Sequence, residues 1–390
     1  MTDILRDKVL TELAKALDIP DAAYESAENR YHDLGEWLRD DSKAKSALYK
    51  PLVSPQGSFR LGTVTRPWKR DDYDLDVLCN LQSGLTTGNL SQYQLKHLVG
   101  ADLHAYRVER QIQEKPEEKH RCWRLNYQDH LQFHIDTVPG IPQTENVRGI
   151  IQGRMVRAGI GPLLAKDLAS LAVAITDDRH VAYHRIAEDW HTSNPEGYAR
   201  WFESRMKLAP ALLESRAVQA KVGRIENLPV YRWKTPLQMA IQVLKRHRDV
   251  MYERDPDRKP ISIIITTLAA QAYQGAFGLS ETLEEVVRNM HVDFDAPRIF
   301  NPVDPRENFA DRWNTPDGRR LQLKENFQAW LKQAQQDLGL LLAQDRGSIL
   351  EHVQKRFGVP LKESDLGKPA RGYSPAVHII RDVPPKPWLH

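Results

Sequence analysis

The segment Pro55–Val77 reads PQGSFRLGTVTRPWKRDDYDLDV. Its first half is a turn. Gly57 and Ser58 are small residues that open a short helix, where backbone amides and a hydroxyl can approach a phosphate chain. Its second half enters a strand, because Leu75, Val77 and Cys79 alternate with the residues between them. Asp74 and Asp76 are two apart on that strand, so their side chains leave one face. Carboxylates this close repel each other unless a cation sits between them. The short path from turn to strand lets a triphosphate held at Gly57 and Ser58 lie over a metal held by the aspartates. Asp71 and Asp72 read as loop charges, although Asp72 shares the parity of Asp74. The stretch GSFRLGTV nearly spells a P-loop, but the lysine position holds Thr63 and the next holds Val64, which rules that motif out.

Working outward, Asp136 lies in FHIDTV (residues 133–138), a second apolar-alternating strand. A DxD pair alone is an ordinary solvated feature. With a Gly-Ser turn upstream and a third aspartate in an apolar strand, it becomes a three-carboxylate metal site. Hard oxygen ligands suit two Mg²⁺ ions, or Mn²⁺ in their place, rather than zinc. Such ions serve the attacking hydroxyl and the leaving pyrophosphate of an in-line displacement. His130 and His134 do not make a zinc centre, because no further His or Cys ligands cluster there; His134 reads as a packing or hydrogen-bonding neighbour.

The flanking elements give an α+β layout in two lobes. Residues from about Asp3 to Lys50 read as a long N-terminal helical brace, closed by Pro51 and Pro55. A helix follows the strand, through about Gln113. Strands over His120–Tyr127 and Leu131–Val138 form a hairpin. Helices dominate from about residue 230. Thr235-Pro236 caps one, Ser262 starts another, Ser280 caps a third, and a long one spans Leu321–Gln344. The expected division is a mixed-sheet catalytic lobe with its N-terminal helix (1–230), a helical lobe (231–366) and an extended tail (367–390).

Composition excludes several classes. A net charge of +3 does not demand a long basic groove for duplex nucleic acid, while small anionic substrates in a local basic pocket fit it. Two cysteines without a CxxC pair point to a reducing, cytoplasmic compartment. No signal-peptide core or bilayer-length apolar run is seen, so no membrane is expected.

Together QGSFRLGT (56–63), DLD (74–76) and HID (134–136) resemble the polymerase β-type nucleotidyltransferases. SNPEGYARW (193–201), TPLQMAIQVLKRH (235–247), PIS (260–262) and NPVDPREN (301–308) extend the resemblance over most of the chain. They narrow it to the bacterial cGAS/DncV-like nucleotidyltransferases. The resemblance implies a bilobal fold with Asp74, Asp76 and Asp136 as catalytic metal ligands. Ser58, Gly57 and Lys245 would hold the triphosphate, and Ser262, Arg306 and Asn308 are further nucleotide-contact candidates. Read from the residues alone, Lys245 beside Arg246 and Arg248 is a solvated face, and Ser262 is a helix cap. Where the family often has a base-stacking aromatic, this chain has Ile263 and Ile264. The implied activity is metal-dependent condensation of nucleoside triphosphates, ATP among them, into a cyclic di- or trinucleotide. That product would be a bacterial antiphage second messenger for a separate effector protein. A template-free RNA- or tRNA-tailing enzyme and a non-catalytic nucleotide-binding scaffold are the alternatives.

Overall fold

The computed structural model describes residues 3–69, 72–127, 133–207, 234–343 and 346–366. The helices and strands of its first half are α1 (Asp3–Leu17), α2 (Asp21–Arg39), β1 (Pro51–Pro55), α3 (Gly57–Leu61), β2 (Tyr73–Leu81), α4 (Gln92–Glu109), β3 (Glu117–Glu118), β4 (Trp123–Tyr127), β5 (Phe133–Pro142), α5 (Glu145–Arg157), α6 (Pro162–Ser170), β6 (Val173–Ile175), β7 (His191–Ser193) and α7 (Pro195–Met206). The second half holds α8 (Pro236–Met251), α9 (Ser262–Ala272), α10 (Leu279–Asn289), β8 (Phe300–Asn301), β9 (Asp304–Asn308), α11 (Pro316–Arg320), α12 (Leu323–Ala343) and α13 (Arg346–Phe357).

The alternation around the aspartates is realised as the central strand β2, with Leu75, Val77, Cys79 and Leu81 fully buried. The sheet runs β1-β2-β5-β4-β3, and β6 and β7 extend it from the far half of β5. Among the described strands of this sheet only β2 and β5 pair in parallel. Their register sets Asp74 opposite His134 and Asp76 opposite Asp136. On the other side of β5, antiparallel β4 sets Arg124 opposite Asp136. The expected hairpin is therefore present as β4–β5, while residues 128–132 that link the two strands lie outside the described residues.

Two apolar cores flank the cleft. One is built on the sheet and takes α2 and α4; the other is helical and takes α1, α5–α10, α12 and α13. This division does not follow the expected boundary at residue 230, which itself lies outside the described residues. Helices α5–α7 pack with the helical core, as does α1. The long N-terminal brace is two helices, broken at Ile19-Pro20 because a proline disfavours helix in the residue before it. The first braces the helical core and the second the sheet core. Helix α3 joins both, sending Phe59 into one and Leu61 into the other.

Other expectations need correction. Pro51 and Pro55 bound a strand on the sheet edge, where missing N–H groups are tolerated. Ser280 does not cap α10. Gly278 is the cap residue, and Asp7 from α1 accepts the Ser280 N–H at 3.0 Å. Ile263–Thr267 is helical despite its β-branched run, because α9 is buried on most sides and tertiary context overrides propensity. The α13 helix and α5–α7 were not anticipated. The tail from Lys368, like Asp71 and His130, is outside the described residues.

The cationic stretch of α8 is not a solvated face. Lys245, Arg246, His247 and Arg248 are all buried. The helix is capped at Thr235, whose hydroxyl and Gln238 form a reciprocal capping box. Side chains from α8 and its N-terminal flank then reach the main chain after α3 one carbonyl at a time. Gln238 donates to Leu61 O (2.8 Å), Lys234 to Gly62 O (3.1 Å), Lys245 to Thr63 O (3.1 Å), Gln242 to Val64 O (2.6 Å) and Arg246 to Arg66 O (2.6 Å).

Candidate active site

Gly57 and Ser58 sit where β1 hands the chain to α3. Gln56 N–H donates to Asp76 O at 2.8 Å, pinning the turn to the strand that carries the aspartates. Gly57 has φ +63°, and a Cβ there would overlap the Asp76 carboxylate. Only glycine lets turn and carboxylate approach this closely.

Arg60, one turn into α3, fixes that helix from the other side. Its Nε and Nη2 donate to Glu196 and its Nη1 to Glu203, each at 2.9 Å, and its side chain is only 9% exposed. Replacing Arg60 with Met leaves two carboxylates on α7 without their main partner. The expected loss is about 3 kcal/mol of unfolding free energy, the low end for a broken buried pair because Glu203 keeps some solvent. Urea denaturation of wild type and variant measures it; a change below about 1 kcal/mol contradicts a structural role for this pair.

One carboxylate oxygen from each of Asp74, Asp76 and Asp136 lies within 4.8 Å of the other two. The register produces this set: Asp76 and Asp136 are direct neighbours on one sheet face, and Asp74 is the next outward residue of β2. The three environments differ. Asp74 is open, its side chain 54% exposed, with His134 Nε2 2.9 Å from its Oδ1. Asp136 is held by Arg124, whose Nε and Nη2 donate to its two oxygens at 2.7 Å each. Among the described residues Asp76 has no cation paired with it. Burial first, then Asp74, then Asp136, pushes its carboxyl up to about 8, with Arg124 pulling weakly the other way. An all-oxygen donor set with one carboxyl held back by its neighbours' charge fits a hard divalent cation. Among the described residues a second acidic group, His120 with Asp177 and Asp178, is satisfied internally. The His120 ring nitrogens meet Asp178 Oδ1 at 2.6 Å and Asp177 Oδ1 at 3.1 Å.

A cleft of about 380 Å³ lies over Asp74 and Asp76, while Asp136 is not part of its lining. Gly57, Ser58, Asp74, Asp76, Lys245 and Ser262 all line it. Lys245 is spent on the wall: its Nζ donates to Thr63 O and Thr63 Oγ1, both at 3.1 Å. Burial, and then Arg248, lowers it to about 7. An anionic phosphate would restore the charge that burial discourages. The Ser262 hydroxyl accepts Arg248 Nη1 at 2.8 Å, and Ile263 lines the cleft beside it. Arg306 and Asn308 are elsewhere. They border a separate cavity of about 580 Å³. There Arg306 pairs with Asp304, and Asn308 accepts the Ile299 and Ala310 N–H groups. Neither is part of the lining of the cleft over Asp74 and Asp76.

Sequence reading passed over Asp249 and Lys259, which line the cleft, and placed Arg248 on a solvated face. Asp249 carried a usable signal, since it is four residues past Lys245 and shares its helix face. Arg124 carried none, because its alignment with Asp136 exists only once β4 pairs with β5.

Comparison with known proteins agrees with this geometry. Residues 51–139, from β1 into β5, match the family model described as the nucleotidyltransferase domain of cyclic GMP-AMP synthase DncV-like proteins. A c-di-GMP synthase from Roseivirga ehrenbergii is 31% identical over 313 residues, 79% of this chain and 73% of that protein. The cyclic dinucleotide synthase CdnG of Bradyrhizobium diazoefficiens is 26% identical over 79% of this chain and 70% of its own length. Among solved structures, CdnG from the same organism in complex with GTP superposes with a TM-score of 0.62 at 20% identity, over 90% of this chain and 96% of that one. Vibrio cholerae DncV with ATP, GTP and 5MTHFGLU2 gives 0.55 at 14% identity, over 90% and 94%. At those identities the structural matches speak for the fold alone.

Proposed function

The chain belongs to the cGAS/DncV-like nucleotidyltransferases, and from that premise we propose that it condenses nucleoside triphosphates into a cyclic dinucleotide. The enzyme class follows from the family. The observation that carries the site is the meeting of Asp74, Asp76 and Asp136 beside the Gly57–Ser58 turn. The names of the two relatives favour a ring of two nucleotides.

In this reading the three aspartates hold divalent cations, two Mg²⁺ ions with Mn²⁺ as a substitute. When bound, they neutralise phosphate charge and make a ribose hydroxyl more acidic. The protein's own groups do the rest. Ser58 and the first amides of α3 receive the terminal phosphates, and Lys245 adds a charge from below. Asp74 and Asp76 face the transferring phosphoryl group. Asp136, steered by Arg124, faces the attacking hydroxyl and keeps one lone pair on each oxygen for a cation. His134 holds one oxygen of Asp74 and so turns the other toward the cleft. Asp74, the most exposed of the three aspartates, marks the side of the cleft from which the acceptor would approach. The product would leave as a signal for a separate effector protein in antiphage defence.

The experiment is incubation of the full chain with labelled nucleoside triphosphates and Mg²⁺. A short product resistant to phosphatase, with a cyclic dinucleotide mass, is expected. Phosphatase-sensitive linear tails, or label transferred to added RNA, would instead support a tailing enzyme.

A further inference from the structure

The cleft does not end at Lys245. A second hollow of about 320 Å³ adjoins it, and the two share Trp68, Asp249 and Lys259 as a common wall. Tyr252 and Pro256 add flat apolar surface to the second hollow. Lys69 and Glu253 form an ion pair across its rim, from the turn after α3 to the end of α8. A nucleotide with its phosphates at Ser58 and Asp76 would bring its base to the shared wall.

Asp249 is the one acid in that shared wall, and its pairing is lopsided. Its side chain is 13% exposed. Arg248 Nε (3.0 Å) and Nη2 (2.7 Å) both donate to Oδ1, and Lys259 Nζ is 3.7 Å from the same oxygen. Oδ2 has no partner among the described residues. A structural Arg–carboxylate pair normally uses both oxygens in a fork. Here two N–H groups share one oxygen, and the residue lines both hollows.

We infer that Asp249 selects guanine: Oδ2 accepts the adjacent N1–H and N2–H₂ donors of a guanine base seated against Trp68, an inference that rests on the nucleotidyltransferase reading above. Adenine presents the N1 lone pair where guanine presents a donor, and a carboxylate repels it. The Arg248 and Lys259 contacts hold Asp249 in place. Trp68 supplies the aromatic surface that Ile263 lacks. One face of its ring lies under the Arg246 guanidinium at 4.9 Å, and Gly358, where a Cβ would collide with the ring, lets it seat.

The test uses the full chain with Mg²⁺ and three probes: GTP, ATP and inosine triphosphate, which lacks the N2 amino group. Initial pyrophosphate release and nucleotide-induced thermal shifts are measured for wild type and for Asp249→Asn. Wild type should favour GTP over ATP by on the order of 10- to 100-fold in kcat/KM, the scale of a well-placed base contact. It should favour GTP over inosine triphosphate by several-fold. In Asp249→Asn the GTP:ATP ratio should fall at least about tenfold, since an amide offers adenine a matched donor and acceptor. Equal loss with all three nucleotides would make Asp249 a purely structural ion-pair partner and overturn the inference. So would a wild type that does not distinguish GTP from inosine triphosphate, a comparison that needs no folded variant. Failure of wild type to bind or turn over any nucleotide would bring down the parent reading as well, so the two failures are separable.

Discussion

Replacing Asp76 with Asn should cut nucleotide turnover by about a thousandfold or more, roughly 4 kcal/mol of lost transition-state stabilisation, while making the metal-free protein more stable at alkaline pH. The two effects share one cause. Asp76 is driven up to about 8 by burial and by Asp74 and Asp136. Its unfolded value is near 4, so between about pH 4 and pH 8 the native state binds a proton that the unfolded chain does not. Metal-free wild type therefore loses stability as pH rises through that window and levels off above it. The Asn variant has no such decline, so its advantage grows toward pH 8. A divalent cation reverses the sign for wild type, because it binds the carboxylate and displaces the proton. Its apparent affinity should climb by up to about tenfold per pH unit below pH 8 and then flatten. Thermal unfolding at several pH values, with and without Mg²⁺, reads both trends. A pH-independent Mg²⁺ shift, or a variant no more stable than wild type at pH 9, would show that the carboxylates do not repel across a shared metal site.

Gly57→Ala should be almost as damaging, with one added methyl. The residue sits at φ +63°, where an L side chain costs about 1–2 kcal/mol. The new Cβ would also meet Asp76 Oδ2. The backbone there cannot retreat easily, since Gln56 is bonded to Asp76 O. The carboxylate must turn away instead, and turnover is expected to fall about 100-fold, in line with an ångström-scale misplacement of a catalytic group. The unfolding free energy should drop by only about 1–2 kcal/mol. Activity and urea denaturation measured on one preparation separate the two. Near-normal turnover in a folded variant would mean that the turn and Asp76 need not touch in the working enzyme.

The catalytic half of the fold was legible because a half-buried strand writes its orientation in period two. In YDLDVLCNL and FHIDTV the parity of the apolar residues fixed which way the aspartates point, and pairing then aligned them. The start of α8 was legible for a similar reason, since Thr235-Pro236 with Gln238 is a local signal. What escaped was set by distant partners. Asp7 serves the start of α10 across more than 270 residues. The α5 helix buries only Ile151 and Met155, so it shows almost no apolar stripe to read. The split at Pro20 was readable and was passed over. Arg306 and Asn308 were carried by resemblance into a cleft they do not line, because spacing along the chain says nothing about which cavity a loop borders.

The row of bonds from α8 to the carbonyls of residues 61–66 treats its two sides unequally. Apart from the Thr63 hydroxyl, every acceptor is main chain, so Val64, Thr65 or Arg66 can be exchanged for another residue that keeps the backbone path, and the seam survives. Every donor is a side chain of fixed reach, so Gln238 and Gln242 have almost no acceptable substitutes. Drift in this protein's descendants is thus free along one bank of the seam and confined along the other, and a lobe borrowed from a relative would graft only if it brought its own donors.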